Sequence, residues 1–225
     1  MKKLEVCCMD IESVIAAKAG GADRIELCSA LEVGGLTPSI GLIEESVKIF
    51  GKGVYVLIRV RPGDFVYTKA EIEVMKLDVE ACVKAGAGGV VVGALTADGE
   101  IDVEGTKEMM TYAEGVEVTF HRAFDRAKDA KKALEEIIGL GCDRILTSGQ
   151  RPSAFEGKEL LKEINEQANG RIKIMPGAGV TFENAGEILK TTGCDEIHAS
   201  AKTDNGDHMQ TSKELVKKIK EVINF

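Results

Sequence analysis

The sequence predicts an α/β protein of the TIM type, a single (β/α)8 barrel domain spanning residues 1–225. Three observations carry that prediction. Strand-like and helix-like segments alternate strictly, eight of each. A turn-plus-strand phrase, Gly20-Gly21-Ala22-Asp23-Arg24-Ile25-Glu26-Leu27-Cys28, returns in looser form at 86–93, 141–147 and 193–198. The strands keep an aliphatic row on one face and several polar residues on the other. An open sheet buried on both faces would instead read as continuous apolar runs.

The elements follow from local chemistry. Leu4–Cys8 alternates and reads as strand one; Asp10 caps a helix over 11–19 that Gly20 stops. Strand two places Ile25 and Leu27 on its apolar side, and Thr37-Pro38 opens the next helix. Strand three is expected over 54–60, followed by a Thr68/Glu71 capping box and a helix ending near Ala85. Strand four is Val90-Val91-Val92, and Asp102 caps the helix after it. Strand five covers 116–121 and precedes a helix over 130–140; strand six covers 144–147. Ser153 with Glu156 boxes a helix ending at Gly170, and strand seven covers 172–175. Thr181 caps a short helix stopped at Gly193, strand eight covers 196–200, and Thr211 with Glu214 boxes the last helix. The loop 204–208, His208 included, reads as solvated.

At 225 residues each unit has roughly 28, enough for a barrel with a packed interior. The net charge of −8 argues against nonspecific binding to nucleic acid or an anionic membrane. The basic start Met1-Lys2-Lys3 precedes an apolar stretch that is broken at Glu5 and ends at Asp10, too short for a signal peptide. The expected location is therefore cytoplasmic. Six cysteines in that compartment point to free thiols or metal ligands rather than disulfides. None forms a Cys-x-x-Cys pair, so a structural zinc site is not expected.

If the aliphatic rows meet the helices, the opposite parity faces the barrel interior: Glu5, Cys7, Glu26, Cys28, Arg59, Arg61, Thr119, His121, His198 and Ser200. Charges in a dry interior must meet one another, a ligand or a metal. Most lie late in their strands, toward the mouth where barrel sites form. Glu26, His121 and His198 suit acid–base work or a divalent metal, with Asp125 as a further candidate base. Arg59 and Arg61 suit an anionic group, and Ser200 adds an inward hydroxyl. Gly177 and Gly179 in the strand-seven loop, with Ser148 nearby, can offer backbone donors to an anion. Cys7 and Cys28 end adjacent strands, where two thiolates favour Cu(I). Plain structural alternatives stand beside each reading. The charges can close an internal ion-pair network, Asp125 can cap a helix, the glycines can serve turns, and the cysteines can fill space.

These phrases together resemble the copper homeostasis protein family CutC. The similarity is carried by Leu4-Glu5-Val6-Cys7, residues 20–28, Gly34-Gly35-Leu36-Thr37-Pro38-Ser39, Gly63-Asp64-Phe65-Val66-Tyr67 and residues 93–99. It continues through Thr119-Phe120-His121-Arg122-Ala123-Phe124-Asp125, Leu146-Thr147-Ser148-Gly149 and Met175-Pro176-Gly177. The resemblance implies a TIM-type barrel with a cytosolic role in copper handling, and thiolate ligation at Cys7 and Cys28. Local departures are Cys8-Met9-Asp10 where the family often has Val-Asp-Ser, Arg59-Val60-Arg61-Pro62-Gly63 for Arg-Pro-Arg-Gly-Gly, and Ala178 where glycine is usual. The expected partner is copper or a small-molecule ligand, without nucleic acid or membrane, in a homo-oligomer. The alternative is an enzyme acting on a small anionic or phosphorylated substrate, with or without a divalent metal.

Overall fold

The computed structural model describes residues 1–204 and 209–224; His208 lies outside the described residues. Eight parallel strands form the barrel wall: β1 (Lys3–Cys8), β2 (Arg24–Leu27), β3 (Val54–Leu57), β4 (Gly89–Val92), β5 (Glu117–Phe120), β6 (Arg144–Thr147), β7 (Lys173–Pro176) and β8 (Glu196–Ala199). Their order is β7-β6-β5-β4-β3-β2-β1-β8, and β7 lies against β8 to bring the wall round on itself. Helices α1 (Ile11–Ala19), α2 (Ile40–Phe50), α3 (Lys69–Lys84), α4 (Val103–Met109), α5 (Ala130–Leu140), α6 (Lys158–Ala168), α7 (Ala185–Thr192) and α8 (Lys213–Val222) surround it. The chain is a TIM-type barrel, as its alternation predicts.

The period-2 pattern settles which residues face where. Leu4, Val6, Cys8, Ile25, Leu27, Val54 and Val56 point out of the wall and join the helices in the main apolar layer. Each fully buried side chain of this size contributes about 1.5–3 kcal/mol. Glu5, Cys7, Glu26 and Cys28 take the opposite parity and are buried inside. Cys8, next to Cys7, therefore packs under the helices and away from the barrel axis.

Several boundaries differ from the sequence reading, each for a local reason. α2 starts at Ile40 with Ser39 as its cap. The Thr37 hydroxyl is engaged by the Arg59 backbone, accepting from its N–H at 2.9 Å. Ser153 and Glu156 do bond one another, but in a turn ahead of α6, which begins after Gly157. Thr181 likewise sits in a turn before α7, whose cap position is Asn184. Ser212, not Thr211, caps α8. Thr211 belongs instead to an antiparallel ribbon of β9 (Lys202–Asp204) and β10 (Met209–Thr211), inserted between β8 and α8. The caps at Asp10, Thr68 and Asp102 and the stops at Gly20 and Gly193 are as expected.

Candidate functional site

The parallel register brings the polar residues of β1, β2 and β8 side by side. Glu5 pairs with Arg24 on one side and His198 on the other, and Cys7 pairs with Glu26. Inside the barrel these become two tiers. The lower tier is an ion-pair network. Arg24 Nε donates to Glu5 at 2.5 Å, Arg144 Nε donates to Glu196 at 2.7 Å, and Arg24 also pairs with Glu196. Arg144 reaches Glu117 at 2.9 Å, Tyr55 donates to the same carboxylate at 2.6 Å, and both guanidinium groups stack on the Tyr55 ring. Burying these charges is tolerable only because nearly every donor and acceptor is matched.

The upper tier opens into a cavity of about 450 Å3 at the C-terminal mouth. Cys7 and Cys28 face each other there, their Sγ atoms 3.6 Å apart, among Leu57, Val91, Leu31 and Met9. His198 stands beside them. Its Nδ1 lies 2.8 Å from Glu5 Oε1, and its Nε2 lies 3.8 Å from Glu26 Oε2. Because Glu5 only accepts, Nδ1 carries a proton. Donor atoms of Cys7, Glu26 and His198 all fall within 4.8 Å of one another.

The electrostatics follow from this crowding. Burial alone would raise the Glu5 pKa, but Arg24 and the His198 hydrogen bond outweigh it and hold it down to about 2. Burial disfavours charge on His198, yet hydrogen bonds to Cys7 and Glu5, with the charge of Glu26, lift its pKa to about 10. Glu26 is pushed up to about 7, mainly by burial, with the charge of His198 opposing. The Cys7 thiol is pushed well above its ordinary value by the hydrogen bond with Cys28 and by burial. Glu5 thus belongs to both tiers, and it fixes the ring that stands over the thiols.

Arg59, Phe65 and His121 also line the cavity. His121 Nδ1 accepts from the Ala123 N–H at 3.1 Å, and burial with the nearby Arg59 charge pushes its pKa down to about 3. Ser200 and Gly179 also line the cavity.

Other sequence-predicted residues stand elsewhere. Arg61 is turned outward and bonds Glu71 at 2.5 Å and Asp64 at 3.0 Å, because the chain leaves the wall after β3 and its parity no longer points inward. Asp125 is consumed by the strand-six loop. It accepts from the Thr147 and Ser148 hydroxyls at 2.5 and 3.0 Å and from the Ser148 N–H, and pairs with Arg122. These contacts tie the Asp125 carboxylate to the strand-six loop. Ser148 is spent in the same knot, donating also to the Arg151 carbonyl. Gly177 acts sterically. A Cβ there would stand 2.5 Å from Leu146 Cδ1 and 3.3 Å from His198 Cβ, so glycine makes room for the imidazole. Ala178 holds φ at +82°, a left-handed conformation that accounts for the glycine usual at this place.

Sequence reasoning missed Arg24, Arg144 and Glu196, although counting parity one step back from Glu26 and His198 would have turned Arg24 and Glu196 inward. Phe65 lies in a motif of the family resemblance but gave no periodic signal, since it reaches the cavity from an aperiodic loop.

The CutC family profile matches residues 2–203. The chain belongs to the CutC family. Relatives named as CutC family proteins include one from Vibrio campbellii, 52% identical over 209 residues, covering 92% of this chain and 85% of the relative. Another, from Bacteroides fragilis, is 48% identical over 213 residues, covering 94% and 85%. Among solved structures, CutC from Streptococcus agalactiae, named for copper homeostasis, superposes with a TM-score of 0.85 at 34% identity, covering 89% of this chain and 99% of that one. A thiamine phosphate pyrophosphorylase from Pyrococcus furiosus, at 17% identity and a TM-score of 0.67, shares the fold alone.

Proposed function

We propose that this chain serves copper homeostasis in the cytosol by binding Cu(I) through Cys7 and Cys28 at the barrel mouth. The observation that carries the reading is the 3.6 Å separation of the two sulfurs inside a cavity open to small solutes. Two thiolates in an apolar surround suit a soft monovalent ion and offer little to a hard one. Glu26 and His198 stand close enough to supply a further donor or to accept the protons that the metal displaces. All six cysteines are free, in keeping with a reducing compartment, and no helix among the described residues is long and apolar enough to cross a membrane. The name of the Streptococcus agalactiae relative supports the same direction.

The enzyme reading ranks second. Glu26, with a pKa of about 7, is its best asset as an acid or base, while Asp125 is bonded to the strand-six loop and Arg61 to Glu71. X-ray absorption at the copper edge of the Cu(I)-loaded protein tests the first reading. A shell dominated by sulfur is expected; a shell of nitrogen and oxygen only would overturn it.

A further inference from the structure

Cys7 takes part in a second arrangement at the barrel mouth, distinct from its pairing with Cys28. One donor atom each from Cys7, Glu26 and His198 (a thiol sulfur, a carboxylate oxygen and an imidazole nitrogen) falls within 4.8 Å of the other two. Among the described residues Cys28 is not a member of this group, although its Sγ stands 3.6 Å from that of Cys7. All three side chains line the cavity, and those of His198 and Glu26 keep 11% and 9% of their surface open, so an ion entering the cavity meets them. They stand on the adjacent strands β1, β2 and β8, so the wall itself sets their spacing.

His198 is oriented for ligation. Its Nδ1 is tied to Glu5 Oε1 at 2.8 Å, which leaves Nε2 facing Glu26 Oε2 at 3.8 Å and the Cys7 thiol. A carboxylate that holds one ring nitrogen and leaves the other for a metal is the usual outer-shell support of a histidine ligand. Glu5 is anchored in turn by Arg24 at 2.5 Å. His121, grouped with Glu26 and His198 on the sequence, takes no part, since its Nδ1 accepts from the Ala123 N–H and it lies outside the group.

We infer that Cys7, Glu26 and His198 bind a borderline divalent ion of the zinc class, with a fourth position open to the cavity. A thiolate, a carboxylate and an imidazole are ligands that zinc takes, whereas magnesium and calcium ask for oxygen throughout. Charge agrees. Thiolate and carboxylate together cancel two positive charges and the neutral imidazole adds none, so a monovalent ion here would leave one buried negative charge unmatched. Distance agrees as well. Tetrahedral donors about 2.0–2.3 Å from a metal stand about 3.3–3.8 Å apart. The Nε2–Oε2 separation of 3.8 Å already fits, and the widest separation, at most 4.8 Å, has about 1 Å to close. Three protein ligands with an open fourth position is the zinc arrangement that admits water or a substrate. The inference does not rest on the copper reading. Cys7 is common to both sites, so the two ions exclude one another.

The test is an anaerobic titration of the full chain with Co(II), a spectroscopic stand-in for zinc, followed by displacement with Zn(II). Wild type is expected to take up one equivalent, with a thiolate-to-cobalt charge-transfer band and the intense visible bands of four-coordinate cobalt, all removed by stoichiometric Zn(II). Cys28→Ser, which removes the paired-sulfur site, is expected to lose Cu(I) and keep Co(II), so that failure of the copper reading and failure of this one are told apart. Glu26→Gln and His198→Ala are expected to weaken Co(II) binding by at least the roughly tenfold that loss of an outer-shell partner costs, and Cys7→Ser to abolish the charge-transfer band. Should His198→Ala fail to fold, Glu26→Gln and Cys28→Ser decide the matter. Loss of Co(II) in Cys28→Ser, unchanged affinity in Glu26→Gln, or only weak uptake at several sites in wild type would overturn the inference.

Discussion

Glu5 Oε1 and His198 Nδ1 lie 2.8 Å apart, and through that contact the barrel's structural charge network reaches its candidate site. The other oxygen of Glu5 is held by Arg24 at 2.5 Å, so one buried carboxylate serves both tiers. Stability and site geometry are coupled there.

Glu5→Gln is therefore expected to destabilise the fold by about 3–5 kcal/mol, the range for breaking a buried ion pair from one side. It should also lower the His198 pKa, since one of the groups favouring its charge is removed. Urea unfolding and an NMR titration of the imidazole check the two effects. A loss below about 1 kcal/mol, the level of an exposed pair, would contradict the coupling.

The pH dependence has a definite sign for each group. The folded pKa of His198 is raised from 6.5 to about 10, so its stabilising contribution is full below about 6.5 and is lost as pH rises through about 10. Glu5 is held from 4.5 down to about 2, so its contribution is full above about 4.5 and is lost as pH falls through about 2. Glu26 is raised from 4.5 to about 7, favouring the folded state below about 4.5 and losing that contribution as pH rises to about 7. Wild type should thus lose stability relative to Glu26→Gln as pH rises from about 4.5 to about 7. A wild-type-minus-variant difference in stability that stays constant across that window would show that Glu26 is not perturbed.

The strand-seven loop gives two substitutions of opposite sign. Gly177→Ala puts a methyl group 2.5 Å from Leu146 Cδ1 and should cost about 1–3 kcal/mol while displacing His198. Ala178→Gly relieves a positive φ and should be neutral to stabilising by up to about 1 kcal/mol, despite the added freedom of the unfolded chain. Thermal unfolding of the two variants compares them directly.

Much of this molecule is legible in its sequence because the barrel repeats a simple physical pattern. Strict alternation of Leu4, Val6 and Cys8 against Glu5 and Cys7 assigns the inward face, and it places Cys7 and Cys28 correctly in one cavity. The same rule fails at Arg61, because parity holds only while the backbone remains extended, and β3 ends at Leu57. Asp125 and Ser148 were opaque for another reason. Their partners come from a loop 22–25 residues away, and no spacing rule connects a turn to its tether. The β9–β10 ribbon escaped because each strand has only three residues, too few for a period to show.

Cu(I) binding should also become tighter as pH rises, because Cys7 must give up a proton that Cys28 and burial hold on it. Competition with a chelator of known affinity across neutral pH measures the slope. A pH-independent affinity would contradict thiolate ligation.

The most direct test of the account is an anaerobic Cu(I) titration of wild type beside Cys7→Ser/Cys28→Ser and His121→Ala. The paired sulfurs predict tight stoichiometric binding in wild type and in His121→Ala, and its loss in the double cysteine variant. Tight binding that survives removal of both cysteines would contradict the thiolate site.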